Sequence, residues 1–474
     1  MAIITLTKKF IFNICLLYQS GVSTSVLEKA RSCFLDYMGC TLGGARFNFD
    51  RINAFYENYP EKGTCNLIGL QDKYAPMHIA AMQNGISSHV MELDDGHRKG
   101  AVHVGSTIFS ALIPVAIQEK ISSKDFLYGA IVGYEATVRL ACAIQPGNKL
   151  RGYHATGTCG TVGAALGIAA ALHYTKDQMK TTLSAAVTSA AGVLEMQEDD
   201  SDLKPYNVGR AAMDAIAAAY IGRSGLQGPE DPIGGKRGFL KVMTDTPHPE
   251  FLTDFNSDTL CIEQIYQKTY AACRHAHPAI EAALAMRNEV DIELIEKIEV
   301  RAYRLAVAGH DHTQIQGVGS AKMSIPFSVA VALVTGSAGL ASYSKKTISD
   351  DKIHELTRKV IVIEDEELTA LCPEKRASIL TIYLSNGKTL TKRVDYPKGE
   401  PENPLSKEEL EEKFRELAMY GGLTKEACDE VINEVWKEEF NLEKVMGIVN
   451  GTTRQRDNKM ECQQDDKTTS LVAS

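Results

Sequence analysis

The chain reads as mostly α with an α+β insertion: a discontinuous all-helical bundle domain plus a smaller α/β lid domain with an antiparallel sheet. Three observations predict this. Over residues 7–254 apolar side chains recur at helical spacing, and Ala and Gly concentrate in residues 163–172, 183–193 and 211–221, a texture that lets helices approach closely. After Lys268 the period shortens toward two, and Ser385-Asn386-Gly387-Lys388 separates two alternating runs, a strong hairpin signal. Helical periodicity then returns at Ser406.

Taken in order, residues 1–18 are apolar, but Lys8-Lys9 interrupts them and no small-residue cleavage site follows, so they read as a first helix rather than a signal peptide. Helices are expected at 26–42, 77–90, 106–118 and 161–173, with further Ala-rich helices over 183–193 and 211–221. In the insertion, strands are expected at 295–308, 359–364, 378–384 and 389–394, and helices at 277–287, 320–334 and 349–357. Residues 397–404, bounded by prolines, read as a return linker. Ser406-Lys-Glu-Glu409 is a capping-box pattern opening a helix through 419, and 424–440 reads as another. The resulting units are 1–267 (helical, first part), 268–401 (lid), 402–450 (helical, C-terminal part) and 451–474, a polar tail without periodicity.

Composition narrows the function classes. The 474 residues exceed one ordinary core. A net charge of -9 with interspersed lysines and acids gives no basic footprint, which argues against nucleic acid as a partner. The apolar stretches 211–221 and 325–334 are too short or too alanine-rich to cross a bilayer, so no membrane partner is expected and the cytoplasm or an organellar matrix fits best. Eleven cysteines without a C-x-x-C pair read as reduced thiols and offer no iron-sulfur spacing. Gly157-x-x-Gly160-x-x-Gly163 lacks the strand that a phosphate cradle needs.

Four polar islands interrupt this small-residue background. Residues 92–103 crowd Glu92, Asp94, Asp95, His97 and His103 into one loop; 151–160 carries His154; 199–209 carries Lys204; 267–277 carries Lys268, Arg274, His275 and His277. Separated islands of this kind suggest one convergent site. Histidine supplies a proton-transfer group near neutrality, while lysine and arginine hold anions. Together they suit removal of a proton next to a carboxylate, which builds negative charge that cations must stabilise. His275 with His277, His310 with His312, and Asp94 with His97 also carry ligand-type donors, so a metal is the rival reading of the same residues. A catalytically silent carboxylate-binding scaffold is the rival from another class.

The ordered series H-x-x-E-L-D-D-x-H, G-Y-H-x-T-G-T-x-G-T-x-G, K-P-x-x-x-G-x-A-A, K-x-Y-x-A-C-R-x-x-H-P and A-K-M-S-I-P-F resembles the MmgE/PrpD family over residues 5–445. Its members dehydrate, decarboxylate or epimerise small carboxylates such as 2-methylcitrate, cis-aconitate and iminodisuccinate. The resemblance implies a homodimer, no cofactor and no metal, and a lyase dehydrating a di- or tricarboxylate, with decarboxylation and epimerisation as alternatives. It implies His103, His154, Lys204 and Lys268 as catalytic residues, and Glu92, Asp94, Asp95, Arg274, His277 and Phe327 as substrate-binding residues. Which histidine is acid and which base stays open, as does whether Glu92, Asp94 or Asp95 supplies the carboxylate. Three positions depart from the family's decarboxylases: Glu92 replaces a shorter acid, Gly96 a threonine, and Phe327 a tyrosine.

Overall fold

The structure, a computed structural model, describes residues 4–197, 201–255 and 259–451; the expected tail beyond 451 and Asp199 lie outside them. Helices Leu6–Ser20 and Thr24–Phe47 open the chain, each started by a hydroxyl cap, Thr5 and Ser23, that satisfies an otherwise free N–H of the first turn. Six more long helices follow: Met77–His89, Gly105–Gln118, Ser123–Ile144, Ala155–Ala171, Lys176–Ser189 and Lys204–Gly222. A two-residue hairpin, β1 (Cys65–Asn66) with β2 (Tyr74–Ala75), sits ahead of the first of these.

Small residues decide how the bundle packs. A Cβ on Gly163 would lie 2.7 Å from the Gly133 carbonyl, and one on Gly167 would lie 2.6 Å from that of Gly129. The helices Ser123–Ile144 and Ala155–Ala171 therefore meet backbone to backbone, as the glycine pattern anticipated. Ser123–Ile144 is long and apolar enough to cross a membrane, but 94% of its apolar window is buried inside the protein. It also carries the buried ion pair Glu135–Arg139, 2.6 Å apart.

The lid holds a four-stranded sheet in the order β4-β3-β5-β6, from β3 (Ile295–Ala302), β4 (Val360–Glu364), β5 (Ser378–Leu384) and β6 (Thr389–Val394). β3, β5 and β6 pair antiparallel, and Gly387 takes a positive φ of 84° in the hairpin turn. β4 instead joins β3 in parallel, so the sheet is mixed. The residues between β3 and β4 are numerous enough for the crossover that parallel pairing requires, and they form helices including Ile325–Thr335 and Asp351–Arg358. Two further expectations are corrected. The strand expected to reach 308 stops at Ala302, where the chain turns into the short helix Arg304–Val307 and buries Tyr303 and Ala306. The helix expected over 320–334 breaks at Ser324, because Pro326 has no N–H to donate to the Lys322 carbonyl and its ring would meet that carbonyl in a continuous helix, and Ser324 Oγ caps the new helix at Phe327 N.

After β6 the chain returns to the bundle. Helix Lys407–Tyr420 opens with the expected capping box, Ser406 with Glu409, and helices Lys425–Val435 and Leu442–Asn450 follow. Phe440 stacks on Phe34 at 5.7 Å, and Phe34 meets Phe109 and Phe126 at 5.4 and 5.2 Å, so one aromatic cluster joins the first, middle and last parts of the helical unit. The unit is discontinuous in sequence and continuous in its core.

Candidate active site

The ends of four helices, the loop 90–104 and the segment carrying Lys268 build the site. Met77–His89 ends where Glu92 turns at φ 58°, a left-handed conformation that costs a non-glycine residue about 1–3 kcal/mol and is retained only where the surroundings enforce it. The enforcement is visible: Lys268 Nζ donates to the Glu92 carbonyl at 2.8 Å and lies 3.3 Å from its Oε2, while Lys204 Nζ bonds Oε1. Lys322 Nζ donates to the neighbouring Met91 carbonyl at 3.0 Å. Three ammonium groups thus gather at one carboxylate and the peptide beside it.

The rest of the loop presents imidazoles. Asp94 Oδ2 accepts from His89 Nδ1 at 2.7 Å and Ser106 Oγ at 2.8 Å, with His103 Nδ1 at 3.4 Å. His103 Nδ1 donates to the Asp95 carbonyl at 2.8 Å, which fixes the ring's proton there and leaves Nε2 as the acceptor nitrogen. The His89 ring centroid lies 4.8 Å from His103 and 6.1 Å from His154. His154 arrives from the start of Ala155–Ala171, held by its backbone N–H on the Gly192 carbonyl at 3.0 Å. His89 Nε2, Asp94 Oδ1 and His154 Nδ1 are buried without a hydrogen-bond partner, the condition of polar atoms kept for a ligand.

The electrostatics follow from burial and counting charges. Burial drives His103 down to about 3, because the pull of Asp94 is offset by Lys268, His89 and Lys204. Burial, with His89 and Lys204 beside it, also holds His154 well below the usual range. Both rings are neutral bases at pH 7. Burial opposes charge on Glu92, yet Lys204 and Lys268 outweigh it and keep the carboxyl ionised well below its ordinary range. Lys322 is lowered to about 8 by burial against the attraction of Glu92.

The other expected residues are placed differently. Asp95 accepts from Gly105 N at 2.8 Å, Val104 N at 3.2 Å and Tyr134 Oη, so its side chain is used in holding the loop; burial raises it to about 6. Arg274 bonds Glu400, which also pairs with Arg98 at 2.8 Å, and its Nε and Nη1 are buried without partners. His277 is wholly buried in the lid, Nε2 on the Ala272 carbonyl at 3.1 Å and its ring 5.2 Å from Tyr270. Phe327 lies in the lid core against Tyr343 and His354, 6.0 and 6.4 Å between centroids, and makes no described contact with the Glu92 cluster. A core position accounts for its missing hydroxyl. Sequence reasoning passed over His89 and Lys322 as site residues although both stand inside the quoted motifs; their spacing beside Glu92 and Pro326 was the available signal.

The sequence-drawn ligand pairs are not assembled as drawn. His97 turns to Gly100 N at 3.0 Å, and His312 Nε2 to the Ser320 carbonyl at 3.0 Å. Two other groups have donor atoms within 4.8 Å of one another: His89, Asp94 and His103, and Cys273, His275 and His310. In the first, Asp94 Oδ2 is already shared by two imidazoles and a serine, which suits a hydrogen-bonded base more than an open ligand set.

Comparison with known proteins gives a consistent result. Residues 16–252 match the MmgE/PrpD N-terminal domain and residues 270–438 the MmgE/PrpD C-terminal domain. The chain is 28% identical over 441 residues to a cis-aconitate decarboxylase of Aspergillus terreus, covering 86% of this chain and 87% of that protein. It is 25% identical over 437 residues to the cis-aconitate decarboxylase of Homo sapiens, covering 88% of each. A probable 2-methylcitrate dehydratase of Saccharomyces cerevisiae is 26% identical over 210 residues, 41% of each chain.

Proposed function

The chain belongs to the MmgE/PrpD family, and from that premise we propose that it is a lyase that dehydrates a small di- or tricarboxylate by removing a proton next to a carboxylate. One observation carries the reading: two neutral imidazoles, His103 and His154, stand beside a group of ammonium ions. A neutral imidazole has a lone pair for a proton, and a bound carboxylate anion beside it raises its readiness to take one; general base catalysis contributes on the order of 10²–10⁴ in rate. The charge that develops on the substrate carboxylate is met by Lys204 and Lys268, with Nε and Nη1 of Arg274 open to a further carboxylate. These side chains supply the base and the anion holders themselves.

Decarboxylation is the second reading, favoured by the end-to-end likeness to cis-aconitate decarboxylases. It shares the carbanionic intermediate, with protonation in place of deprotonation by the same histidines. The purified protein is incubated with 2-methylcitrate, citrate, cis-aconitate and iminodisuccinate while water loss, carbon dioxide release and isomer formation are followed. Water loss from a hydroxy acid supports the first reading. Carbon dioxide from cis-aconitate alone replaces it with the second, and no turnover of any carboxylate leaves the silent scaffold.

A further inference from the structure

A second cluster stands in the lid, built from side chains that the reaction above does not use. Cys273 Sγ lies 4.0 Å from His310 Nε2. His310 Nδ1 donates to the Met323 carbonyl at 2.9 Å, which places the ring proton on Nδ1 and turns the lone pair of Nε2 toward the sulfur. The Cys273 backbone N–H is fixed on the Lys322 carbonyl at 2.8 Å. His275 stacks near His310 at 5.0 Å between centroids, with its own Nδ1 held by the Tyr303 hydroxyl. This is a nucleophile, a base and a group that orients the base.

The other described cysteines differ. Burial pushes all nine of them up, from Cys15 to Cys428. At Cys273 burial acts in the same sense, but His310 outweighs it and brings the thiol down to about 7. His310 moves the opposite way, raised by Cys273 against its own burial. Cys273 is also only partly buried, as among the described cysteines is Cys372.

The surroundings choose between two ligand chemistries. Arg376, Lys149 and Arg274 all act on His275 from neighbouring segments, and Glu92 is the negative group that reaches Cys273. A divalent metal at Cys273, His275 and His310 would sit among those cations and be repelled. A thiolate is stabilised by them, and so is an incoming carboxylate.

We propose that Cys273 and His310 form a nucleophilic thiolate–imidazolium pair that takes small carboxylate-bearing electrophiles covalently. With an α,β-unsaturated acid the sulfur bonds the β-carbon and the π electrons move to the α-carbon. That carbon takes a proton from the His310 imidazolium, which returns to the neutral base; no oxidant or reductant is required.

The test uses the full chain with limiting iodoacetate, in which the thiolate displaces iodide, followed by peptide mass spectrometry across a pH series. At pH 7 Cys273 is carboxymethylated about tenfold faster than an ordinary thiol, which is only a few per cent ionised there. Its labelling rate has a midpoint near 7. Iodoacetate gains on neutral iodoacetamide at Cys273 relative to a free thiol. His310→Gln, with folding checked by thermal melting, moves the midpoint up toward the ordinary value of about 8.5. A native-protein midpoint at that ordinary value overturns the proposal without any variant, and an unchanged profile in a folded His310→Gln protein overturns it as well.

Discussion

The Glu92 cluster and the Cys273 cluster are built from similar parts, imidazoles beside acidic groups, yet they resolve in opposite directions. Around Glu92 burial, with the ammonium groups beside it, strips His103 and His154 of charge, while the same ammonium groups hold the Glu92 carboxylate ionised. Around Cys273 one acid faces one base, and His310 is raised while the thiol falls. Burial alone favours the neutral form of every one of these groups. The difference shows that burial strips a histidine of charge unless its acid partner outweighs it: the pull of Asp94, divided between His89 and His103, does not, and that of Cys273 on His310 does. Asp94 is shared; Cys273 is not.

The comparison breaks most easily at the base. His103→Asn removes the acceptor nitrogen while keeping a donor for the Asp95 carbonyl, and turnover of the accepted carboxylate falls by about 10²–10⁴. Equal turnover in the variant would move the base elsewhere. Lys268→Ala comes next, with a loss on the order of 10²–10³, the usual effect of deleting one group that stabilises developing charge. The melting temperature, measured alongside, separates that loss from the destabilisation expected when Glu92 loses its partner at φ 58°.

A pH series sharpens the same contrast. Lys322 is lowered to about 8, so it is charged below that pH and neutral above it. As pH climbs through 8 the pocket loses one ammonium, and KM for a carboxylate rises roughly fivefold, the effect of about 1 kcal/mol from one partly screened charge. Lys322→Met lacks that alkaline limb; a wild-type KM that stays flat to pH 9 would detach Lys322 from the site.

The same burial also reaches stability. His97, His103, His154, His275 and His277 are all depressed by burial, so the folded protein refuses protons that the unfolded chain accepts below about 6.5. Stability is therefore full above that pH and declines as pH falls, by up to about 1.4 kcal/mol per unit for each group involved. Thermal melts at pH 7, 6 and 5 read it directly, and an unmoved midpoint would mean the folded rings take up protons as readily as the unfolded chain does.

Helical periodicity made the bundle legible, and Asn386-Gly387 fixed the hairpin of β5 and β6 with its bounds. The parallel placement of β4 was not legible, because a short apolar run reads the same in either direction and only the length of the crossover decides. Chemistry-bearing residue types showed which segments converge: Glu92, Asp94, His103, His154, Lys204 and Lys268 do come together. Orientation was hidden. Asp94 and Asp95 are adjacent and chemically alike, yet one faces the imidazoles and the other braces the backbone of Val104 and Gly105, a choice made by Tyr134, far away in sequence. His277 and His312 were hidden for the same reason, since helix and loop geometry turn them from the partners that alternation suggested.

The two strands of chain that connect the lid to the bundle lie side by side. Gln267 N donates to the Gly399 carbonyl at 2.8 Å, and a Cβ on Gly399, which has φ 93°, would stand 1.8 Å from the Gln267 carbonyl. Paired in this way, the two crossings leave and enter the lid at one place, and Cys40, Met91, Leu93 and Leu417 of the helical unit are packed into the lid's own apolar core. Lys268 and Glu400 each sit one residue beyond that pairing, so the grip on Glu92 and on Arg274 is anchored directly to it. A side chain larger than hydrogen at residue 399 would force the two crossings apart and carry Lys268 and Glu400 out of register with their partners.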